Sequence, residues 1–258
     1  MSEETGAVRR LALTAVRPRL NQQVLYALYL SLVNLAGAGL LLWGLFSFPH
    51  YINKDVFLLL CGLAAVSALV TSSVAVDQSS ITYSVGPVVS LAAVPHWGPL
   101  AAVLISTVFN CSLWLIKRKG QGWKKSGVQL AFNHGMHALA FLIGGGTLIF
   151  VHHLLGEMSI LGMTLPWLVS AVVYEEVNIW LLIGVLRLQL GPEIRPLAMW
   201  REEQWASRIS VLVLALGGGV LAFAIDHYDM VGIVIFYLPI ILSAYAFRLY
   251  VKQMQEHM

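Results

Sequence analysis

Charge is scarce in this chain. Of its 258 residues, 16 are Lys or Arg and 13 are Asp or Glu, 11% in all, where soluble globular domains average about 25%. That deficit excludes an ordinary water-soluble domain. The net charge of +3 gives no reason to invoke nucleic acid as a partner. Cysteine is nearly absent too. Cys61 and Cys111 both sit inside apolar stretches and read as buried small hydrophobes rather than as a disulfide. No small-residue cleavage site follows a short apolar core near the start, so residues 1–23 read as a basic cytoplasmic lead and not as a cleaved signal peptide. The zinc-protease, phosphate-loop and Ser-His-Asp patterns are missing as well, which leaves no residue set to name as catalytic.

What the chain has instead is apolar length. It is 58% hydrophobic with a mean hydropathy of +0.76. These values predict a polytopic membrane protein, an all-α helix bundle filling residues 24–250 as one domain, with a short exit helix at 251–258. Apolar runs fall at 24–48, 56–76, 100–116, 128–151, 165–187, 209–225 and 230–250. A further stretch, 78–96, is shorter and broken. It begins polar, with Asp77, Thr82 and Tyr83, and is interrupted by Gly86-Pro87 and again by Pro95. Irregular backbone at membrane depth must be covered by protein or line a cavity, so this stretch predicts a short or interrupted span inside the bundle.

Basic residues arbitrate the count. They gather before residue 20, at 117–125, at 187–208 and at 248–252, and the other turns hold at most one. Cytoplasmic loops carry the excess of Lys and Arg, and all these clusters share one side only with about eight crossings, the broken one included. Both termini then lie in the cytoplasm. Trp200 and Trp205 in the charged connector suit the membrane interface.

The run 165–187 carries the most unusual chemistry. Tyr174, Glu175, Glu176, Val177 and Asn178 interrupt it near its middle. An acid at that depth costs at least ~2.5–3.5 kcal/mol, so its default reading is a functional or buried polar site. Glu175 and Asn178 share one helix face, while Glu176 points about a quarter-turn away. In the preceding span Asn133, His134 and His137 fall within an arc of about 100°. Two histidines and two acids can hold zinc or a di-iron pair, or relay protons. The plainer reading is a polar seam in which Asn, His and Glu hydrogen-bond between helices, with a histidine as the favoured partner of an acid. Asp77 and Tyr83 join these six as candidate ligand-binding residues. No cofactor is named by any pattern. The glycine triplets 144–146 and 217–219 read as close helix approaches.

The order of short motifs is similar to a known type of region. Phe132-Asn133 in one span, Val177-Asn178 in the next, a charged Trp connector, Leu238-Pro239 and then Tyr245-Ala246-Phe247-Arg248-Leu249-Tyr250 resemble the N-terminal membrane region of bacterial HD-GYP and GGDEF signalling proteins. The resemblance covers roughly residues 80–252. It implies a sensor-like input domain in a bacterial plasma (inner) membrane. The chain departs from that pattern by ending where an output domain would begin, and by placing Glu175-Glu176 where apolar residues are expected. The expected function is therefore a non-enzymatic sensor or interaction module, either a truncated input domain or a free-standing relative. It would bind a small ligand or partner and couple through its C-terminal helix to a cytoplasmic signalling protein. The alternative is a transporter or a substrate-binding subunit of one, with a midplane polar site helped by the broken stretch. Its surroundings would be the lipid bilayer, with another membrane subunit or a second copy of itself as further partners.

The basic clusters make the topology testable. Reporter fusions at 117–125, in 187–208 and at the C-terminus should all report cytoplasm, and an external signal from 117–125 would remove the short crossing.

Overall fold

The computed structural model describes residues 20–76, 79–83, 85–117, 123–156, 160–191 and 195–257. The basic lead up to residue 19, Asp77 and residues 118–122 of the basic loop lie outside them. Helices α1 (Leu20–Ser47) and α2 (Lys54–Val70) are joined by a 3-10 turn, Phe48–His50. Strands β1 (Ser72–Val76) and β2 (Ser79–Tyr83) follow, then α3 (Gly86–Ala92), α4 (Val94–Trp97), α5 (Pro99–Lys117), α6 (Trp123–Leu155), α7 (Ile160–Leu190) and α8 (Pro196–His257).

The fold is all-α, as composition predicts, apart from one short hairpin. Five stretches are long and apolar enough to cross a membrane: Gln22–His50, Pro99–Ile116, Ser126–Leu155, Gly162–Leu190 and Ser207–Tyr228. Helix α2 is apolar but only 17 residues long. Met230–Ser243 forms a further, shorter apolar stretch.

The broken stretch differs from expectation in kind. Its first part is no interrupted helix but the end of an antiparallel ladder, with Val74 opposite Ile81 and Val76 opposite Ser79. Val, Ile, Thr and Tyr favour the pleated conformation, which explains why 72–83 does not continue α2. Pro87 then sits in the first turn of α3, where its missing N–H costs nothing. Helix α3 is apolar all round and buried accordingly: Val88, Val89, Leu91 and Ala92 are all within the core, against α2, α5 and α8. Gly98 takes φ +80° and allows the sharp change of direction into Pro99 and α5. At that corner the Trp97 indole N–H donates to the Ile52 carbonyl at 2.6 Å, and its ring meets Phe57 edge-on at 5.6 Å. The chain has thus returned to the end at which α2 starts, using a hairpin and two short helices for the journey.

Helix α8 also departs from expectation. The sequence predicts two spans joined by a turn at Asp226–Asp229, yet helical residues follow one another without a gap from Pro196 to His257. The chain nevertheless doubles back within it. Eight residues of straight helix climb about 12 Å. A β-carbon placed on Gly232 would instead lie 2.7 Å from the Ala224 carbonyl oxygen and would overlap the Tyr228 β-carbon. Where the reversal begins, Asp226 stands 3.5 Å from His96 of α4. After it, the Tyr237 hydroxyl donates to the Leu63 carbonyl of α2 at 2.9 Å. The reversal therefore precedes the region near Phe236–Pro239 where proline predicts an irregularity, and Pro239 lies inside the helix.

Small residues set the helix spacings. A β-carbon on Gly37 would overlap the Gly135 α-carbon, and one on Gly135 would overlap the Val33 carbonyl oxygen, so α1 and α6 touch backbone to backbone. Of the triplets, Gly144 faces the Ser170 carbonyl of α7, while Gly217 and Gly218 receive Val88 of α3 and Trp167 of α7.

These contacts predict a matched pair of variants. Gly135→Ala should cost ~1–3 kcal/mol or more by forcing α1 and α6 apart. Gly39→Ala, on the same α1 but with nothing within 4 Å of its β-position, should be neutral or gain up to ~1 kcal/mol from helix propensity. Thermal unfolding in detergent checks both, and equal melting temperatures would contradict the close crossing.

Candidate functional site

The acids of α7 are answered by α8. These helices run antiparallel, with Trp167 against Gly218 and Glu175 against Ser210. Ser210 Oγ donates a hydrogen bond to Glu175 Oε1. Glu176 Oε2 accepts two indole N–H bonds, from Trp180 at 3.2 Å and from Trp200 at 2.9 Å. The two indoles stack with centroids 6.3 Å apart and planes 24° apart. Beside them a cavity of about 430 Å³ is lined by Val172, Glu176, Gln204, Ser207, Arg208, Val211 and Leu212.

The histidines of α6 do not reach these acids, contrary to the favoured pairing. His137 Nδ1 meets the Tyr174 hydroxyl at 2.7 Å, and the two rings stack at 6.1 Å. Tyr174 is 1% exposed and packs on Phe141 at 4.4 Å. His134 turns to other neighbours, with Nδ1 3.2 Å from Thr107 Oγ1 of α5 and Nε2 3.2 Å from the Gly37 carbonyl of α1. The physical reason is rotational. Sequence spacing places His134 and His137 on one arc of α6, but that arc spans the seam between α1, α5 and α7, while Glu175 and Glu176 face away from it toward α8.

The His134 cluster has a definite proton economy. Gly37 offers a carbonyl, which only accepts, so Nε2 must carry a proton to bond it. Thr107 has a single hydroxyl proton and also stands 2.7 Å from the Val103 carbonyl. With a neutral ring that proton serves either Val103 or Nδ1.

Asn133 is exposed on α6. Asn178 Oδ1 is buried and has no hydrogen-bond partner, and Asn34 Oδ1 of α1 is in the same condition. Gln22 bonded to the Leu188 carbonyl and Tyr29 bonded to the Leu181 carbonyl fix the antiparallel register of α1 and α7. That register puts Asn34 within a turn of the level of Asn178. Tyr83 ends β2, its side chain outside the described residues. Among the described residues no three His, Cys, Asp or Glu side chains gather closely enough to hold a metal ion.

Sequence reasoning missed Ser210, Thr107, Gln204, Ser207, Arg208 and Asn34. Ser and Thr in apolar helices satisfy themselves locally, as Thr147 does with the Ile143 carbonyl at 2.8 Å, so they carry no signal. Asn34 and Arg208 did carry one: an amide alone in an apolar run, and a cation at the start of another.

No family model, curated protein or solved structure matches this chain.

The Glu175–Ser210 contact predicts coupling. Ser210→Ala should cost ~1–3 kcal/mol, because it strips a bond from a buried carboxyl group. Combined with Glu175→Leu, the two effects should fall short of additivity by more than ~0.5 kcal/mol. Thermal unfolding of the four proteins in detergent measures this, and strict additivity would show that the contact carries no energy.

Proposed function

We propose that this chain is a multi-pass plasma-membrane sensor or interaction module with no catalytic chemistry of its own. About eight antiparallel segments cross the bilayer in this reading, with the basic clusters and both termini in the cytoplasm. The observation that carries the reading is the route of α8. One helix supplies Trp200, Gln204, Ser207, Arg208 and Ser210 to the polar cleft, packs Gly217 and Gly218 on α3 and α7, reverses between Ala224 and Gly232, and continues to His257. A ligand that moves α8 against α7 displaces the element that leads to the C-terminus. A bundle held by backbone-to-backbone crossings transmits such shifts as rigid-body movements.

Transport is the second reading, and the hairpin with its buried helix α3 is what favours it. Transporters place discontinuous segments at their substrate sites. Recovery of a stoichiometric ATPase with the protein purified from its native membrane would favour that alternative.

The sensor reading is tested at the exit helix. Inserting one residue after Tyr250 in a fusion to a cytoplasmic output domain rotates that domain by about 100°. The expected result is an output that changes with each insertion and recovers when three or four residues are added. An output indifferent to insertion would reduce the helix to a tether.

A further inference from the structure

The polar cleft between α7 and α8 has an apolar continuation. One and two turns from Glu176 along α7 stand Val172 and Leu168, 42% and 40% exposed. One and two turns from Arg208 along α8 stand Leu212 and Leu216, 55% and 68% exposed. Residues four apart share a helix face, and the helices are antiparallel, so the two rows lie side by side. The result is a groove with charge at one end and aliphatic side chains along the rest. Its charged end lies at the start of the apolar stretch Ser207–Tyr228, just beyond Arg201, Glu202 and Glu203, so Glu176, midway along the longer apolar run of α7, stands level with the end of its neighbour's apolar run.

The two charges line one cavity without neutralising each other. Glu176 Oε2 accepts only the neutral Trp180 and Trp200 indoles. Among the described residues the only ion pair is His96 with Asp226, so Arg208 has no carboxylate partner there. A carboxylate and a guanidinium that each lack a counter-charge at one site fit a ligand that carries both an ammonium and a phosphate. Arg208 offers the planar fork that binds phosphate oxygens in pairs, and Glu176 accepts N–H bonds. Gln204 and Ser207 add neutral polar atoms to the same wall. The cavity, about 430 Å³ and open on one side, has room for a small polar group of that kind.

We propose that this groove holds an aminophospholipid, with its ammonium at Glu176, its phosphate at Arg208 and one acyl chain along Val172, Leu168, Leu212 and Leu216. The assignment rests on the sensor reading for its consequence, since the lipid would occupy the contact between α7 and α8. It also sets a rank order. Phosphatidylethanolamine satisfies both charges. Phosphatidylcholine has no N–H to donate to Glu176. Phosphatidylglycerol brings an anion and only neutral hydroxyls, with no cation, for the carboxylate.

The test uses the full chain in nanodiscs containing equal parts of these three lipids, extracted into mild detergent and weighed by native mass spectrometry. The expected result is retention of phosphatidylethanolamine at least fivefold over either competitor. Arg208→Gln should abolish that retention, and Arg208→Lys should restore part of it. Glu176→Gln should shift selectivity toward phosphatidylglycerol. Melting temperature confirms that each variant is folded, and the exposed Arg208 variants guard against misfolding at Glu176. Equal retention of all three lipids, a preference for phosphatidylglycerol in the unmodified chain, or a folded Arg208→Gln that keeps its phosphatidylethanolamine would each overturn the assignment. Competition by free phosphoethanolamine at equal concentration would overturn it too, by showing that a soluble zwitterion suffices. The insertion series after Tyr250 separates the two ideas. A lost lipid preference with a rotation-sensitive output sinks the lipid alone, and a retained lipid with an indifferent output sinks the sensor alone.

Discussion

Two carboxylates in the middle of an apolar helix impose the main constraint on this bundle. Glu175 and Glu176 have no partner on their own helix beyond the Trp180 indole, so a second helix must bring donors to them. Helix α8 does so with Ser210 and Trp200. That requirement sets its antiparallel register on α7. The register in turn brings Gly217 and Gly218 opposite Val88 and Trp167, where the absence of side chains lets α3 and α7 approach. A polar demand on one helix thereby determines the apolar packing of two others. In a setting where lipid competes for apolar contact, such hydrogen bonds and close backbone crossings are what distinguish one helix arrangement from another.

The interior is built around a short element. Helix α3 is too short to span a bilayer, yet it is the most thoroughly buried, walled by α2, α5 and α8. It is held at one end by the aromatic corner of Phe48, Tyr51, Phe57 and Trp97, whose rings meet at 5.2–6.5 Å. His96 and Asp226 tie the same corner to the reversal of α8. The corner and the reversal therefore sit at one end of the bundle, and the polar cleft lies well along α8 from them. Between the cleft and the reversal, α8 is packed against α3 and α7 through Gly217 and Gly218.

The sequence was informative wherever a local pattern governs the outcome. The apolar runs mark the helices, and Gly-Pro at 86–87 marks where α3 begins. Asp226 to Asp229 lies within the reversal, although no non-helical residue separates the two arms as a polar turn would suggest. The strands at 72–83 were legible only as polarity and interruption. Their alternation is too short to separate a hairpin from a distorted helix, and the pairing of Val74 with Ile81 is a contact between residues whose intervening chain carries no decisive turn signal. The histidine assignments failed for a geometric reason. Spacing on α6 determines that His134 and His137 share an arc, but not which neighbour that arc meets.

By itself, then, the sequence determined the apolar character, the order of the apolar segments, and the presence of acids, amides and histidines that cannot all face hydrocarbon. These follow from composition and from the helix period, both of which are local. Only the tertiary structure decided the pairings: Glu175 with Ser210, Glu176 with Trp200, His137 with Tyr174, and His134 with Thr107 and Gly37. Each depends on the rotation and axial offset of two helices distant in sequence. Those offsets are set by which glycines let backbones touch, as Gly37 and Gly135 do, and a rotation of one residue, about 100°, would turn every one of these side chains to a different neighbour.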